Sequence, residues 1–291
     1  MSRVKRDSIK ENFTGYLFIA PQMILFLVFL VYPIIEGVRL SLFQINYQNE
    51  VFVGLANYKR LFSDPVFIQS TIHTVVFVVC IVFLTVIFAM FVASAIFDKN
   101  AKYVSFIRGA YYIPVMVSMV VMSMIWSFLL NPANGLIPFI ARKMDVSVNF
   151  LGDTHWVLPV IIFITFATNV GQAIILYIAS MIGVPKELFE AAEVDGASRF
   201  KIIFKIIIPM VKPTTIYIII INIIAVLKIF VVIQLLTGGG PNNASTTMMY
   251  YLYNNAFKYN QLGIASAVGV IMFIITLLLS TPQLKAMLKK D

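Results

Sequence analysis

Charge is what this chain has least of. Only 12% of its 291 residues are Asp, Glu, Lys or Arg, against about 25% in a soluble domain, and 60% are hydrophobic. So few polar side chains cannot cover a water-facing surface, which excludes a soluble globular protein and leaves an integral membrane protein. Cysteine is nearly missing: Cys80 stands alone inside an apolar run, so no disulfide framework forms within the chain. The two histidines, His73 and His155, are isolated and make no metal motif. There is no phosphate-binding loop, no H-E-x-x-H, no C-x-x-C and no G-x-S-x-G, so no catalytic residue and no metal ligand is assigned. Acidic residues are scarce in the apolar runs, where Glu36 is the sole one. That scarcity weighs against a secondary transporter, which uses buried carboxylates to couple protons or ions, while sodium coupling through carbonyls stays open. Long Ser- or Gly-rich linkers and low-complexity blocks are absent, so residues 1–291 read as one membrane domain.

What is present is apolar length. About 20 apolar residues carry a helix across the hydrocarbon core. Six runs qualify, at about 13–38, 70–97, 109–130, 156–182, 207–236 and 262–284. Backbone groups in lipid must be satisfied internally, and the alternation of a membrane barrel is missing, so the fold class is an all-α membrane protein with six transmembrane helices. The first run follows a basic N-terminus but is too long for a signal peptide, so it reads as a retained span.

The formal net charge of +9 would point to nucleic acid in a soluble protein. Here the lysines and arginines follow the positive-inside rule instead, and no nucleic-acid partner is expected. Fifteen lie in the N-terminus, 97–108, 183–212 and the C-terminus, six lie in the alternate segments, and Lys228 falls within a span. The bias places both termini and the 183–206 loop in the cytoplasm. The segments 39–69, 131–155 and 237–261 then face outward. Those loops carry turn chemistry: Asp64-Pro65 signals a turn or a helix start, Asn134-Gly135 a turn, and Gly238-Gly239-Gly240-Pro241 a sharp helix stop. The aromatic segment 246–257 is expected at the membrane interface.

Polar residues at depth are few. Asn169 and Gln172 are three apart and share a face of the fourth span, and Asn222 and Lys228 lie on the fifth. A mid-span ammonium costs roughly 2.5–3.5 kcal/mol on insertion scales, so Lys228 calls for a wet cavity or a partner. These four are the candidates for a substrate path. The competing readings are interhelical glue for the amides and snorkelling for the lysine. The methionines of the third span read as packing filler, with a flexible lining for a variable ligand as the alternative, and the rings of Tyr111, Tyr112 and Trp126 are explained by an interface belt at least as well as by stacking on a substrate.

The longest polar interruption of the second half is Pro185 to Pro209. Phe189, Ala192, Gly196, Phe200, Ile203 and Ile207 recur at helical spacing with charges opposite. Pro185 and Glu187 favour a helix start, Asp195-Gly196 a turn, and Ser198 a second cap. The expected product is a helix–turn–helix presenting Ala191, Ala192 and Gly196 as a low surface.

The spacing Glu190-Ala191-Ala192, then Gly196, then Ile206 and Pro209 resembles the EAA signature of bacterial ABC importer permeases, with Ile208 where the pattern prefers Leu. The stretches 54–65, 131–137 and 233–241 look like the first-type permease subunit of the carbohydrate uptake (maltose-type) branch. The resemblance implies a pseudo-symmetric pair with a second permease, two ATPase subunits that bind ATP and Mg, and an extracellular solute-binding protein. It also implies that the EAA loop is a coupling helix, that Glu190, Ala191, Ala192, Gly196 and Pro209 carry the ATPase contact, and that a sugar crosses the bacterial inner membrane by alternating access. This chain itself would bind no cofactor and catalyse no reaction. The competitors are a permease of the same fold for a glycerol phosphodiester or polyamine, a secondary transporter, and a structural membrane subunit.

Overall fold

The computed structural model describes residues 16–46, 49–145 and 149–288, with the side chains of Asn46 and of 282–288 left aside. Its contacts divide into two compact units. One runs through Leu61 and includes Asn254–Ile271; the other holds Phe62–Tyr253 and resumes at Met272.

The first unit begins with helix α1 (Tyr16–Ser41), none of whose most apolar window is buried. A hairpin follows, β1 (Phe43–Asn46) antiparallel to β2 (Asn49–Phe52), with Phe43 opposite Phe52 and their rings 5.3 Å apart. Arg39 lies between Glu36 and Glu50, 2.7 Å from a carboxylate oxygen of each. The hydrogen bond from Arg39 holds the Glu50 carboxyl below its ordinary range. Helix α2 (Ala56–Ser63) carries Asn57, whose buried amide donates to the carbonyls of Ser41 (2.9 Å) and Phe43 (3.0 Å). Gly263 approaches the same Phe43 carbonyl so closely that a Cβ would overlap it.

The second unit is built around α7 (Val157–Ile182), which is 61% buried over its most apolar window. Helix α3 (Pro65–Ile96) starts where the sequence signals it: Asp64 accepts from Val66 N at 2.8 Å and Pro65 takes the first helical turn, where its missing N–H costs nothing. Tyr251 donates to the other Asp64 oxygen at 2.6 Å. Next come α4 (Ala101–Met116) and α5 (Met119–Leu129), joined at a 93° bend, then α6 (Leu136–Lys143). The run expected as one span over 109–130 is therefore two helices. Hydropathy registers apolar content but not direction, and at the bend Ser118 leaves helical geometry and caps α5 by accepting from Val120 N at 3.3 Å.

After α7 come α8 (Lys186–Val194), α9 (Arg199–Met210) and α10 (Lys212–Leu227), the last two meeting at 66°. Pro213 has no N–H and its ring crowds the carbonyl four residues back, which accounts for that bend. The fifth run, expected to be continuous over 207–236, breaks again at Lys228–Phe230 before α11 (Val231–Leu236). Helix α12 (Met248–Tyr253) buries Tyr250 and Tyr251 within the protein. Helix α13 (Leu262–Leu288) closes the chain.

By length and composition four helices are able to cross a membrane, or up to six spans if each bent pair is one. Apolar burial gives helices in lipid little reason to associate, so close packing and interhelical hydrogen bonds hold them. Gly171 on α7 shows the first: a Cβ there would overlap the Tyr111 carbonyl of α4. Tyr177, fully buried, shows the second by donating to Thr215 Oγ1 at 3.0 Å, while Thr214 donates to Ser180 Oγ at 2.9 Å.

Candidate functional site

The polar interruption folds as its residues direct. Pro185, with φ −55° and ψ 130°, caps α8, and Glu187 sits in the first turn at the positive end of the helix dipole. At the other end Gly196 adopts φ +69°. Its N–H donates to Glu193 O at 3.0 Å and the next, Ala197, donates to Ala192 O at 2.9 Å. These two bonds form a Schellman stop, which needs a left-handed residue and so favours glycine. Ser198 then caps α9, accepting from Lys201 N at 3.4 Å.

Helix α8 is anchored on one side only. Phe189 and Ala192 pack against the cluster that holds Met181, Ile202 and Ile207, and Phe189 lies 5.6 Å from the Phe97 ring. None of its residues is fully buried. Glu190 and Ala191 are exposed, and Val194 is 88% exposed. Pro209 lies in the last turn of α9, just before the 66° bend. Of the EAA pattern, then, Ala192 faces inward, Glu190 and Ala191 outward, and Gly196 makes the turn. A cavity of about 680 Å³ opens beside α8, lined by Asp98, Lys186, Glu190, Glu193 and Arg199 among others.

One contact was not legible in the sequence. Arg199, at the start of α9, reaches the end of α3. Its Nη2 donates to Asp98 Oδ1 at 3.0 Å and to the carbonyls of Ser94 (3.2 Å) and Ala95 (3.3 Å). Those carbonyls belong to the last turn of a helix, where no intrahelical donor remains and a cation is favoured. The signal available was Asp98 directly after an apolar run.

Of the four candidates, Asn169 and Gln172 fall on α7, Asn222 within α10 and Lys228 at its end. Asn169 donates to Thr165 O (2.8 Å) and Asn222 to Ile218 O (2.9 Å), each amide bonding back onto its own helix and leaving its carbonyl oxygen available. Both are half-buried, and Gln172 is exposed. The bonds Tyr177–Thr215 and Ser180–Thr214 fix an antiparallel register between α7 and α10. Extended along the two helices, it sets Gln172 about level with Asn222, and Asn169 within one turn of both. Lys228 is not mid-helix as expected. It ends α10 with φ −91° and ψ 10°, and its side chain is exposed between buried Leu227 and Ile229. Thr247 Oγ1 donates to Ile229 O at 3.2 Å across this break. Nearby in the same core cluster, Trp126 stands edge-on to Phe163 at 5.9 Å, and its buried Nε1 has no hydrogen-bond partner among the described residues.

The loop that supplies Thr247 is tightly bonded. Gly238 and Gly239 have φ of 57° and 86°, and Gly238 N–H closes α11 on Ile233 O at 2.9 Å. Ser245 and Thr246 donate to the carbonyls of Gly240 (2.7 Å) and Gly239 (3.1 Å). Thr74 of α3 accepts from Met248 N at 2.9 Å.

Comparison with known proteins agrees with this arrangement. Residues 85–288 match the family described as binding-protein-dependent transport system inner membrane component. The chain is 35% identical to the probable ABC transporter permease protein YurN of Bacillus subtilis, over 93% of this chain and 94% of that one. It is 30% identical to the arabinooligosaccharides transport system permease protein AraP of the same organism, over 93% and 87%. It is 29% identical to the sn-glycerol-3-phosphate transport system permease protein UgpA of Agrobacterium fabrum, over 94% of each. A chain of a bacterial ABC transporter involved in the import of the acidic polysaccharide alginate superposes with a TM-score of 0.85 over all of both chains, at 22% identity. An exposed helix anchored at one end of the bundle, broken membrane helices bearing a few polar groups, and a family match over most of the length lead to one conclusion: this chain belongs to the binding-protein-dependent transport system inner membrane components, the permeases of ABC importers.

Proposed function

We propose that this chain is one of two permease subunits of an importer that takes up oligosaccharides across the bacterial inner membrane, driven by ATP hydrolysed with Mg on two separate ATPase subunits. Both termini and the 183–206 loop lie in the cytoplasm, and a solute-binding protein delivers cargo to the opposite face. The observation that carries the reading is α8, an amphipathic helix packed on one side through Phe189 and Ala192 and bare on the other. A short helix that starts at Pro185 and ends in a Schellman stop, with Ala191 and Val194 outward, is suited to a groove on a partner. Glu190, Ala191, Ala192, Gly196 and Pro209 form and support that contact. Because the partner's two states must grip α8 differently to shift any equilibrium, the helix acts as a lever between nucleotide state and bundle.

The path runs along the level that Asn169, Gln172 and Asn222 share, with Lys228 beyond it. Half-buried amides suit sugar hydroxyls, which both donate and accept. Arabinooligosaccharide and alginate importers among the similar proteins support a carbohydrate cargo, and the sn-glycerol-3-phosphate permeases support the neighbouring alternative. The solved alginate importer in complex with a pentasaccharide-bound periplasmic protein supports delivery by a binding protein.

The test is purification of the full-length tagged chain from its own membranes in mild detergent. The expected product contains a second permease of similar size and an ATPase subunit in twofold excess, and hydrolyses ATP. Recovery as a homo-oligomer without ATPase, with uptake in cells that survives ATP depletion and collapses with an ionophore, would make it a secondary transporter instead.

A further inference from the structure

We infer that the cargo is anionic, a saccharide or polyol bearing a carboxylate or phosphate group, and that Lys228 is the group in this chain that recognises its charge. The inference rests on the reading of this chain as an importer permease and adds the chemical class of what it carries.

Three observations meet at Lys228. First, it is an ammonium at the end of an apolar helix, without a counter-charge among the described residues. No Asp or Glu occurs in α3, α7, α9 or α10, and no ion pair involves Lys228 among the described residues. The C-terminal end of α10 favours a cation there through the helix dipole but supplies no full negative charge to pair with it.

Second, the side chain does not snorkel from a continuous helix. The helix ends at this residue: Lys228 has left helical geometry, Phe230 stands at φ −137°, and the Thr247 hydroxyl holds Ile229 O across the gap. Leu227 and Ile229 on either side are buried while Lys228 is exposed. The backbone is thus fixed by protein and the ammonium alone emerges.

Third, it lies beyond the amides at the end of the same helix. Six residues separate Asn222 from Lys228, about 9 Å along the axis at 1.5 Å per residue. At 3.6 residues per turn the two also lie about 120° apart around the axis, so a cargo that meets both is extended, with hydroxyls on the amides and its charged group beyond them. A neutral saccharide would leave the ammonium unmet, and a cationic cargo would be repelled.

The experiment compares the native organism with and without this chain during growth on a polysaccharide digest supplemented with sn-glycerol-3-phosphate. Compounds that leave the medium only when the chain is present are the cargo, identified by mass spectrometry. The expected cargo carries a carboxylate or phosphate, and its uncharged methyl ester or dephosphorylated form is imported about tenfold more slowly or worse. Lys228→Met is expected to slow the acidic compound about tenfold and to narrow the gap to the neutral one, while Lys228→Arg keeps most of the preference. The binding protein is the same in all strains, so that narrowing belongs to this chain. A neutral or cationic cargo overturns the inference and leaves import standing. So does an acidic cargo that Lys228→Met, recovered in the membrane with its partners, imports at the wild-type rate with undiminished preference. The cargo's charge is read with the wild-type chain, so a variant that fails to assemble does not blunt the test. No difference between the two strains would sink the importer reading itself.

Discussion

Arg199 of α9 and Asp98 beyond α3, 101 positions apart, are joined at 3.0 Å, and the same guanidinium nitrogen spans the two carbonyls that end α3. Both side chains are more than 40% exposed, so the ion pair itself contributes only about 0–1 kcal/mol. Its consequence is positional: it ties the lever's second helix to the end of a span. Arg199→Ala and Asp98→Ala are each expected to lower uptake about tenfold, with partner recovery unchanged. Exchanging the two residues should not rescue, because an aspartate at 199 would face the negative end of α3. Uptake measured in a double-mutant cycle checks this, and full rescue by the exchange would show that charge pairing alone matters.

The cap at Gly196 gives a graded expectation. Gly196→Ala forces a Cβ into left-handed geometry at about 1–2 kcal/mol and should weaken uptake without preventing membrane insertion. Gly196→Asp and Glu190→Lys place a new or reversed charge on the exposed side of the loop and should abolish uptake with normal insertion. Western blots of membranes beside uptake rates decide it. Normal uptake with wild-type ATPase association in these variants would remove α8 from the coupling role.

Gly171→Ala should destabilise the bundle by about 1–3 kcal/mol, since its Cβ has no room against the Tyr111 carbonyl. The measurement is the thermal midpoint of the detergent-solubilised complex. An unchanged midpoint would mean that α4 and α7 part more easily than their packing implies.

Replacing Asn169, Gln172 and Asn222 together by Leu is expected to reduce uptake at least about tenfold while the complex stays assembled. Unchanged uptake in the folded triple variant would assign the amides to packing.

Much of this arrangement was legible in the sequence because local chemistry carried it. Asp64-Pro65, Pro185, Asp195-Gly196, Ser198 and Gly238 each set a helix end through their own φ or a side-chain cap, and each did so where expected. The break at Lys228–Phe230 has no Gly or Pro to announce it. It depends on Thr247, nineteen positions away from Lys228, and a window of neighbouring residues has no access to that bond. The Arg199 clamp was hidden for the same reason. The burial of Tyr250 and Tyr251 was missed because aromatic enrichment marks an interface and a core alike.

The Thr247 hydroxyl fastens the broken stretch beside Lys228 to a loop expected to face outward, and that has an evolutionary reading. What the permease accepts need not be altered at the residues that touch cargo. A change of one atom in the loop, as in Thr247→Val, would release the Ile229 carbonyl and let the ammonium drift. New selectivities would then arise first from loop variants, leaving the expensive lysine in place.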